Sequence, residues 1–255
     1  MLTRFLAELF GVQVKYAIIS DIHGNLAALN AVRDCITEEN CDKIICLGDL
    51  VGYGPFPNEC IQIVKKCADV LILGNHDAAA IGTTDTTYFN NYAKEAIDWT
   101  TEVLSTSNRS LLKELKLTAE IEEALFVHAS PFQPEEWNYI LTPSLAQLNF
   151  KYFEHQLCFI GHSHVPLSYS LTAKNIVRSC KDSSLELEAA NRYIINVGSV
   201  GQPRDGNPDA AFLIYDSESS RIQLKRVSYD IDATQQAMSE ARLPAFLIQR
   251  LKLGY

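Results

Sequence analysis

Apolar runs of strand length alternate with helical patterns along the first part of the chain. The segments at 15–20, 43–47 and 70–73 are mainly apolar and β-branched, which is typical of strands that are buried on both faces. Between them, apolar residues recur at helical spacing over 26–39 and 57–67. The pattern therefore predicts a β-α-β-α-β unit in which two helices cross between buried strands.

The middle of the chain mixes helical periodicity with loops. Residues 88–117 have the spacing of one or two helices, and a further strand should lead into His128. A loop-rich segment with Pro131, Pro134 and Trp137 follows that strand. This part of the chain is therefore predicted to connect two regions of sheet.

The second half of the chain reads mainly as sheet. Asp230 then caps a final helical region that reaches toward Leu251 and is interrupted near Pro244. The polar segment at 181–184 is predicted to be an exposed hairpin turn. The predicted strands lie at 158–160, 165–171, 185–188, 193–197, 211–215 and 222–228.

These elements predict an α/β protein with two packed mixed sheets and helices outside them, a four-layer α/β/β/α sandwich. We expect residues 1–255 to form a single domain, with an amphipathic helical extension at 1–14. The extension is too short and too charged for a signal peptide or a membrane span, and we expect it to pack on the domain surface. A partner-binding or membrane-surface role is the alternative. Its apolar positions are Leu2, Phe5, Leu6, Leu9 and Phe10.

Composition narrows the functional class. The formal net charge is -9, and the basic residues are scattered, which disfavours strong binding to nucleic acid. A small phosphate ester or a nucleotide can still bind to an acidic protein through a few local charges. The seven cysteines include no C-x-x-C pair, so we interpret them as reduced thiols that pack in apolar regions. This usage favours the cytoplasm.

Five short polar blocks, each after an apolar run, contain five of the six histidines. Aspartate, asparagine and histidine supply oxygen and nitrogen donors without thiolate, a set that suits Mn, Fe, Zn or Ni. Seven candidate ligands exceed the four of a structural zinc site, so two metal ions are expected, with Asp49 as the bridge. The blocks are Asp21-Ile22-His23-Gly24-Asn25, Gly48-Asp49, Gly74-Asn75-His76-Asp77, Val127-His128-Ala129 and Gly161-His162-Ser163-His164.

Each block taken alone has an ordinary structural explanation. His128 could be a hydrogen-bonded loop residue, and Gly48-Asp49 is common in turns. Asn25 is expected to cap the helix that follows it. The order and completeness of the five blocks favour a metal site over these separate explanations.

The five blocks resemble the signature of the calcineurin-like metallophosphoesterase family, in its small bacterial-type phosphoesterase branch. The resemblance implies a first metal on Asp21, His23 and His164, a second on Asn75, His128 and His162, and Asp49 on both. It also implies in-line attack on phosphorus by a metal-bound hydroxide, with His76 assisting the leaving group. A carboxylate beside a histidine helps it to keep its proton and holds it in orientation, a role that we assign to Asp77.

Substrate specificity has to come from other residues. The segment after Asp49 lacks the arginine found there in the protein-phosphatase branch, and Tyr53 lies in it instead. Arg204, in a glycine-rich turn after a strand, is a candidate phosphate ligand, unless it pairs with Asp205 or Asp209. Tyr53, Trp137 and Tyr139 could line a pocket for a base or aryl group, although aromatic residues near loops usually pack.

Several functions fit this set of residues. A phosphomonoesterase or phosphodiesterase is favoured, and a dinucleoside polyphosphate hydrolase or a protein phosphatase is the alternative. A non-enzymatic metal-binding scaffold is a further alternative, but it should have lost a ligand or His76, and none is missing.

Overall fold

The computed structural model describes residues 14–87 and 89–255, so the predicted extension lies almost entirely outside the described residues. The first half contains β1 (Lys15–Ile19), α1 (Leu26–Glu38), β2 (Lys43–Cys46), α2 (Pro57–Cys67), β3 (Val70–Leu71), α3 (Asn75–Ala80), α4 (Asn91–Val103), α5 (Thr106–Glu114), β4 (Thr118–Ile121) and β5 (Ala124–Val127). The second half contains α6 (Pro143–Asn149), β6 (Leu157–Ile160), β7 (Leu167–Leu171), β8 (Val177–Cys180), β9 (Ser184–Glu186), β10 (Arg192–Asn196), β11 (Ala210–Asp216), β12 (Arg221–Val227), α7 (Ile231–Glu240) and α8 (Ala245–Arg250).

The strands form two six-stranded mixed sheets. The first has the order β3-β2-β1-β11-β12-β9, in which β1, β2 and β3 run parallel and the other pairs antiparallel. The second has the order β4-β5-β6-β10-β7-β8, in which β5, β6 and β10 run parallel. Helices α1 and α2 connect the parallel strands of the first sheet, as the alternating pattern predicts.

Alternation along the strands separates the layers. Ile18 of β1 packs with Phe126 and Phe159 in the core between the two sheets, whereas its neighbour Ile19 packs in the core that contains α1. The outer face of the second sheet packs on Phe150, next to α6. Because each sheet buries both faces, the molecule has the predicted α/β/β/α layers.

Two predictions about local structure were wrong. The segment at 181–184 does not form the predicted hairpin turn, because β8 pairs with β7 in the second sheet while β9, which begins at Ser184, pairs with β12 in the first. The loop-rich segment after His128 also contains α6, whose first turn is capped by the side chain of Thr142. The expected caps at Asn25 and Asp230 are present.

None of the helices in the described part of the chain is long and apolar enough to cross a membrane. All seven cysteines are free thiols, as the sequence predicts. The cytoplasmic location stays a prediction.

Candidate metal centre

The candidate ligands gather where parallel strands end. Asp21 follows β1, Asp49 follows β2, His128 comes directly after β5, and His162 follows β6. The carboxyl ends of parallel strands meet at one edge of a sheet, which is where α/β proteins place ligands. The two sheets therefore bring four separate blocks of sequence to one place.

The loops that carry these residues hold them in an unusual backbone conformation. Asp21, His23, Asp49, His162 and His164 all have positive φ, between 50° and 65°. Such left-handed conformations are unfavourable for residues other than glycine and persist where surrounding contacts fix them. Backbone hydrogen bonds supply this constraint, since Asp21 N donates to Gly48 O at 3.1 Å and His23 N donates to Asp49 O at 2.9 Å.

A first cluster consists of Asp21, His23, Asp49 and His164, whose ligand atoms lie within 4.8 Å of one another. The Nε2 atoms of His23 and His164 are 3.1 Å apart, and Asp21 Oδ1 lies 3.3 Å from His164 Nε2. Asp21 Oδ1 is buried and has no hydrogen-bond partner. A cation at this position would satisfy it.

A second cluster consists of Asp49, His128 and His162, again within 4.8 Å. Asn75 extends it, because its Oδ1 lies 3.1 Å from His128 Nε2. Asp49 belongs to both clusters, and its Oδ2 and His162 Nε2 are buried without partners. The shared carboxylate is the arrangement expected for a pair of ions about 4 Å apart.

Backbone carbonyls orient three of the histidines. A carbonyl oxygen only accepts hydrogen bonds, so Nδ1 carries a proton in each ring and Nε2 is the atom that faces the cluster. The sequence could not reveal these contacts, because every residue has a carbonyl group. The pairs are His23 with Val51 at 2.9 Å, His128 with Leu47 at 2.8 Å and His164 with Gln202 at 2.6 Å.

Burial dominates the electrostatics of the centre. It lowers the pKa of His162 to about 3 and holds the pKa values of His23 and His164 well below their usual range. Burial also acts against protonation of His128, but the charge of Asp49 raises its pKa to about 9. The rings of His23, His162 and His164 are thus neutral and ready to act as metal ligands. Among the ligand histidines, only His128 would have to lose a proton on metal binding.

His76 and Asp77 do not form the expected pair. Asp77 accepts hydrogen bonds from Val51 N at 3.2 Å and Gly74 N at 3.1 Å, and no ion pair joins it to His76 among the described residues. The expectation that Asp77 orients the His76 ring was therefore wrong, since its carboxylate instead fixes the start of α3. Burial lowers the pKa of His76 to about 4, which makes the ring neutral in the free protein.

Arg204 is free of the carboxylates that could have neutralised it. Asp205 pairs with Arg226, whereas the Arg204 guanidinium donates to Gln202 Oε1 at 2.8 Å and lies 5.6 Å from the centre of the Tyr53 ring. The alternative in which Arg204 pairs with Asp205 or Asp209 does not occur in this structure. Tyr53 in turn lies 4.4 Å from the His76 ring, so a cationic and a phenolic group adjoin the clusters.

A cleft of about 460 Å³ opens beside the second cluster. Tyr139 stacks on His162 with ring centres 4.0 Å apart, and Trp137 meets His128 edge-on at 5.9 Å. Phe89, which the sequence reasoning missed, forms part of the opposite wall and lies 5.0 Å from His76. The predicted aromatic pocket is therefore present, with Tyr53 among its lining residues.

The architecture and the clusters together define a class of metal-dependent phosphoesterases. The profile of the calcineurin-like phosphoesterase superfamily domain matches residues 14–220, and the chain belongs to this family. The expected family is thus confirmed. The donor set fits metal ions, since both clusters combine buried carboxylate and imidazole groups and Asp21 Oδ1, Asp49 Oδ2 and His162 Nε2 have no hydrogen-bond partner.

Similarity to known proteins extends over most of the chain. A metallophosphoesterase from Sphaerobacter thermophilus, known from its crystal structure, is 39% identical with a TM-score of 0.83, over 95% of this chain and 100% of that one. An uncharacterized protein of Methanocaldococcus jannaschii is 40% identical over 95% of this chain and 99% of its own length. The symmetrical bis(5'-nucleosyl)-tetraphosphatase of Psychromonas ingrahamii is 38% identical over 63 residues, which are 24% of this chain and 23% of that protein.

Proposed function

We propose that this chain hydrolyses phosphomonoesters or phosphodiesters at a centre of two transition metal ions, Mn, Fe, Zn or Ni. The observation that carries the proposal is the pair of Asp/His clusters that share Asp49 and adjoin a cleft. When bound, two such ions neutralise phosphate charge and activate water for in-line attack on phosphorus. The proposed ligands are Asp21, His23 and His164 for one ion, Asn75, His128 and His162 for the other, and Asp49 for both.

Arg204 and Tyr53 are proposed to hold the phosphate. The guanidinium presents paired N–H donors that match two phosphate oxygens, and it has no carboxylate partner among the described residues. The Tyr53 ring lies between this guanidinium and His76, within 6 Å of each. A phosphate held there would have its ester bond near His76.

His76 is proposed to protonate the leaving group. The ring lines the cleft and is neutral in the free protein, because burial lowers its pKa to about 4. A bound phosphate dianion favours the protonated ring and raises that pKa. The ring nitrogen can then give its proton to the departing ester oxygen. Asp77 contributes indirectly, because it fixes the start of α3 from which His76 projects.

A dinucleoside polyphosphate hydrolase is a second candidate, supported by the local similarity to the tetraphosphatase of Psychromonas ingrahamii. A protein phosphatase is less well supported, since the segment after Asp49 lacks the arginine of that branch. A metal-binding scaffold is disfavoured, because all seven donors and His76 lie together.

A hydrolysis panel with Mn²⁺ tests the proposal. It compares an aryl phosphomonoester, an aryl phosphodiester, a dinucleoside polyphosphate and a phosphopeptide at equal concentration. We expect turnover of the first or the second, with loss in the presence of a chelator. Metal uptake without turnover of any of the four would favour the scaffold.

A further inference from the structure

The cleft beside the second cluster has a distinctive division of charge. Its described lining contains three carboxylates, those of Asp85, Glu135 and Glu136, and no lysine or arginine. The Arg204 guanidinium lies over the Tyr53 ring, 5.6 Å from its centre, and is not among the lining residues. The cationic side of the site thus faces the proposed phosphate position, while the cleft beyond it is acidic.

The two glutamates are held at the rim by a defined loop. They belong to a 3₁₀ turn at Pro134–Glu136 whose flanking residues, Gln133 and Trp137, both have left-handed backbones. The indole Nε1 of Trp137 donates to Thr84 Oγ1 at 3.2 Å, which ties this turn to the loop on the facing wall. Neither glutamate has an ion-pair partner within the described part of the chain. Their charges therefore face the cleft without neutralisation.

The inner wall of the cleft also points to a ligand. His76 lines the inner end of the cleft and is only 5% exposed, with its Nδ1 packed against the backbone of Gly52. The aromatic rings of Phe89, Trp137 and Tyr139 line the space between His76 and the rim. Aromatic walls that lead from a buried histidine to carboxylates at the mouth are the features of a pocket for a flat group that carries positive charge or N–H donors.

We propose that this cleft selects phosphate esters whose leaving group is an aromatic ring with a positive charge or amino donors, and that Glu135 and Glu136 determine this selectivity. The inference rests on the proposed phosphoesterase function. A polyphosphate chain would place further negative charges among carboxylates, with no cation in the described lining to compensate. The cleft is therefore unfavourable for dinucleoside polyphosphates.

Binding of three phenylphosphonates tests the proposal without requiring turnover. The probes carry a para aminomethyl, methyl or carboxylate group, and calorimetry reports the affinity of the metal-loaded protein. Two exposed carboxylates at several ångströms should favour the cation over the anion by about tenfold at low salt. The double variant Glu135→Gln/Glu136→Gln should reduce this ratio to about twofold.

The chain offers a matched control. Glu122 and Glu123 are another exposed adjacent pair, in the turn between β4 and β5 at the opposite end of the parallel strands. The double variant Glu122→Gln/Glu123→Gln changes the net charge equally and should keep the wild-type ratio. A wild-type ratio near one, or an equal fall of the ratio in both double variants, would overturn the proposal.

Turnover of the corresponding aryl phosphates separates this inference from the function on which it rests. Hydrolysis with the predicted charge preference supports both. Hydrolysis without the preference, or faster turnover of a dinucleoside polyphosphate than of the aminomethyl ester, overturns the selectivity alone. Charge-selective phosphonate binding without hydrolysis of any ester supports the selectivity and contradicts the proposed activity.

Discussion

The substitution Gly161→Ala adds one methyl group directly behind the Asp21 carboxylate. Gly161 follows β6 and has no left-handed backbone, so alanine can adopt its conformation. The new Cβ would lie 2.6 Å from Asp21 Oδ2 and would also clash with the Ser20 hydroxyl. Asp21 Oδ2 already accepts a hydrogen bond from His162 N at 3.0 Å, so it has little freedom to move away.

The required displacement is large on the scale of metal coordination. Asp21 Oδ2 must move by about 0.8 Å to reach an ordinary 3.4 Å contact, whereas ligand distances tolerate only about 0.2 Å. We therefore expect the variant to lose one metal ion per chain and about a hundredfold in kcat/KM. The added atom should also lower the free energy of unfolding by about 1–3 kcal/mol, as overpacking does.

Metal analysis, hydrolysis of an aryl phosphate and urea unfolding together provide the assay. The control is Gly82→Ala, where the new Cβ meets nothing within 4 Å but the backbone has a φ of 77°. That strain should cost about 1 kcal/mol in stability and leave the metal content unchanged. A Gly161→Ala protein with full metal content and wild-type turnover would refute the claim that metal binding requires the Asp21 carboxylate in its present position.

The roles of His76 and Arg204 and the titration of the buried histidines can each be tested separately. His76→Ala should keep both metal ions but lose about a hundredfold in kcat, with less effect on esters of acidic phenols, whose leaving groups need no proton; loss of metal would refute the separation of roles. Arg204→Ala should raise KM about tenfold or more, with partial rescue in Arg204→Lys, and an unchanged KM would contradict phosphate binding. Metal-free protein should be most stable near pH 6.5, as urea midpoints at pH 5, 6.5 and 8.5 would report. Below that pH the unfolded chain binds protons at four site histidines whose pKa values the fold lowers, so stability falls. These are His23, His76, His162 and His164. Above that pH stability also falls, because the folded protein raises the pKa of His128 to about 9 and that of Asp77 to about 8 and loses this advantage as they deprotonate. A midpoint that rises steadily to pH 8.5 would contradict these shifts.

The sequence is informative where the chemistry requires a particular side chain. Asp21, Asp49 and His128 each follow a buried strand, and the two sheets bring all three together. Residue type and order suffice for such positions, because only a few side chains can serve as hard donors. The sandwich is equally predictable, since Ile18 and Ile19 alternate between two apolar layers.

The sequence does not predict contacts that are made by backbone groups or strand pairs that depend on a distant segment. Gln202 contributes a carbonyl to His164, and Asp77 binds backbone N–H groups rather than its neighbour His76. Residues 181–183 look like a hairpin turn locally, but the pairing partners of β8 and β9 lie in different sheets. The placement of β8 and β9 depends on long-range pairing, which a short polar segment does not encode.

Metal content of the wild-type protein and of Asp49→Asn tests the central claim most directly. The amide keeps the shape of the carboxylate but lacks its charge, and Asp49 is the residue common to both clusters. After loading with Mn²⁺ and desalting, elemental analysis should give close to two ions per wild-type chain and one or none in the variant, with activity lost in parallel. A single ion per wild-type chain, or two ions and normal turnover in Asp49→Asn, would contradict a centre of two metals bridged by Asp49.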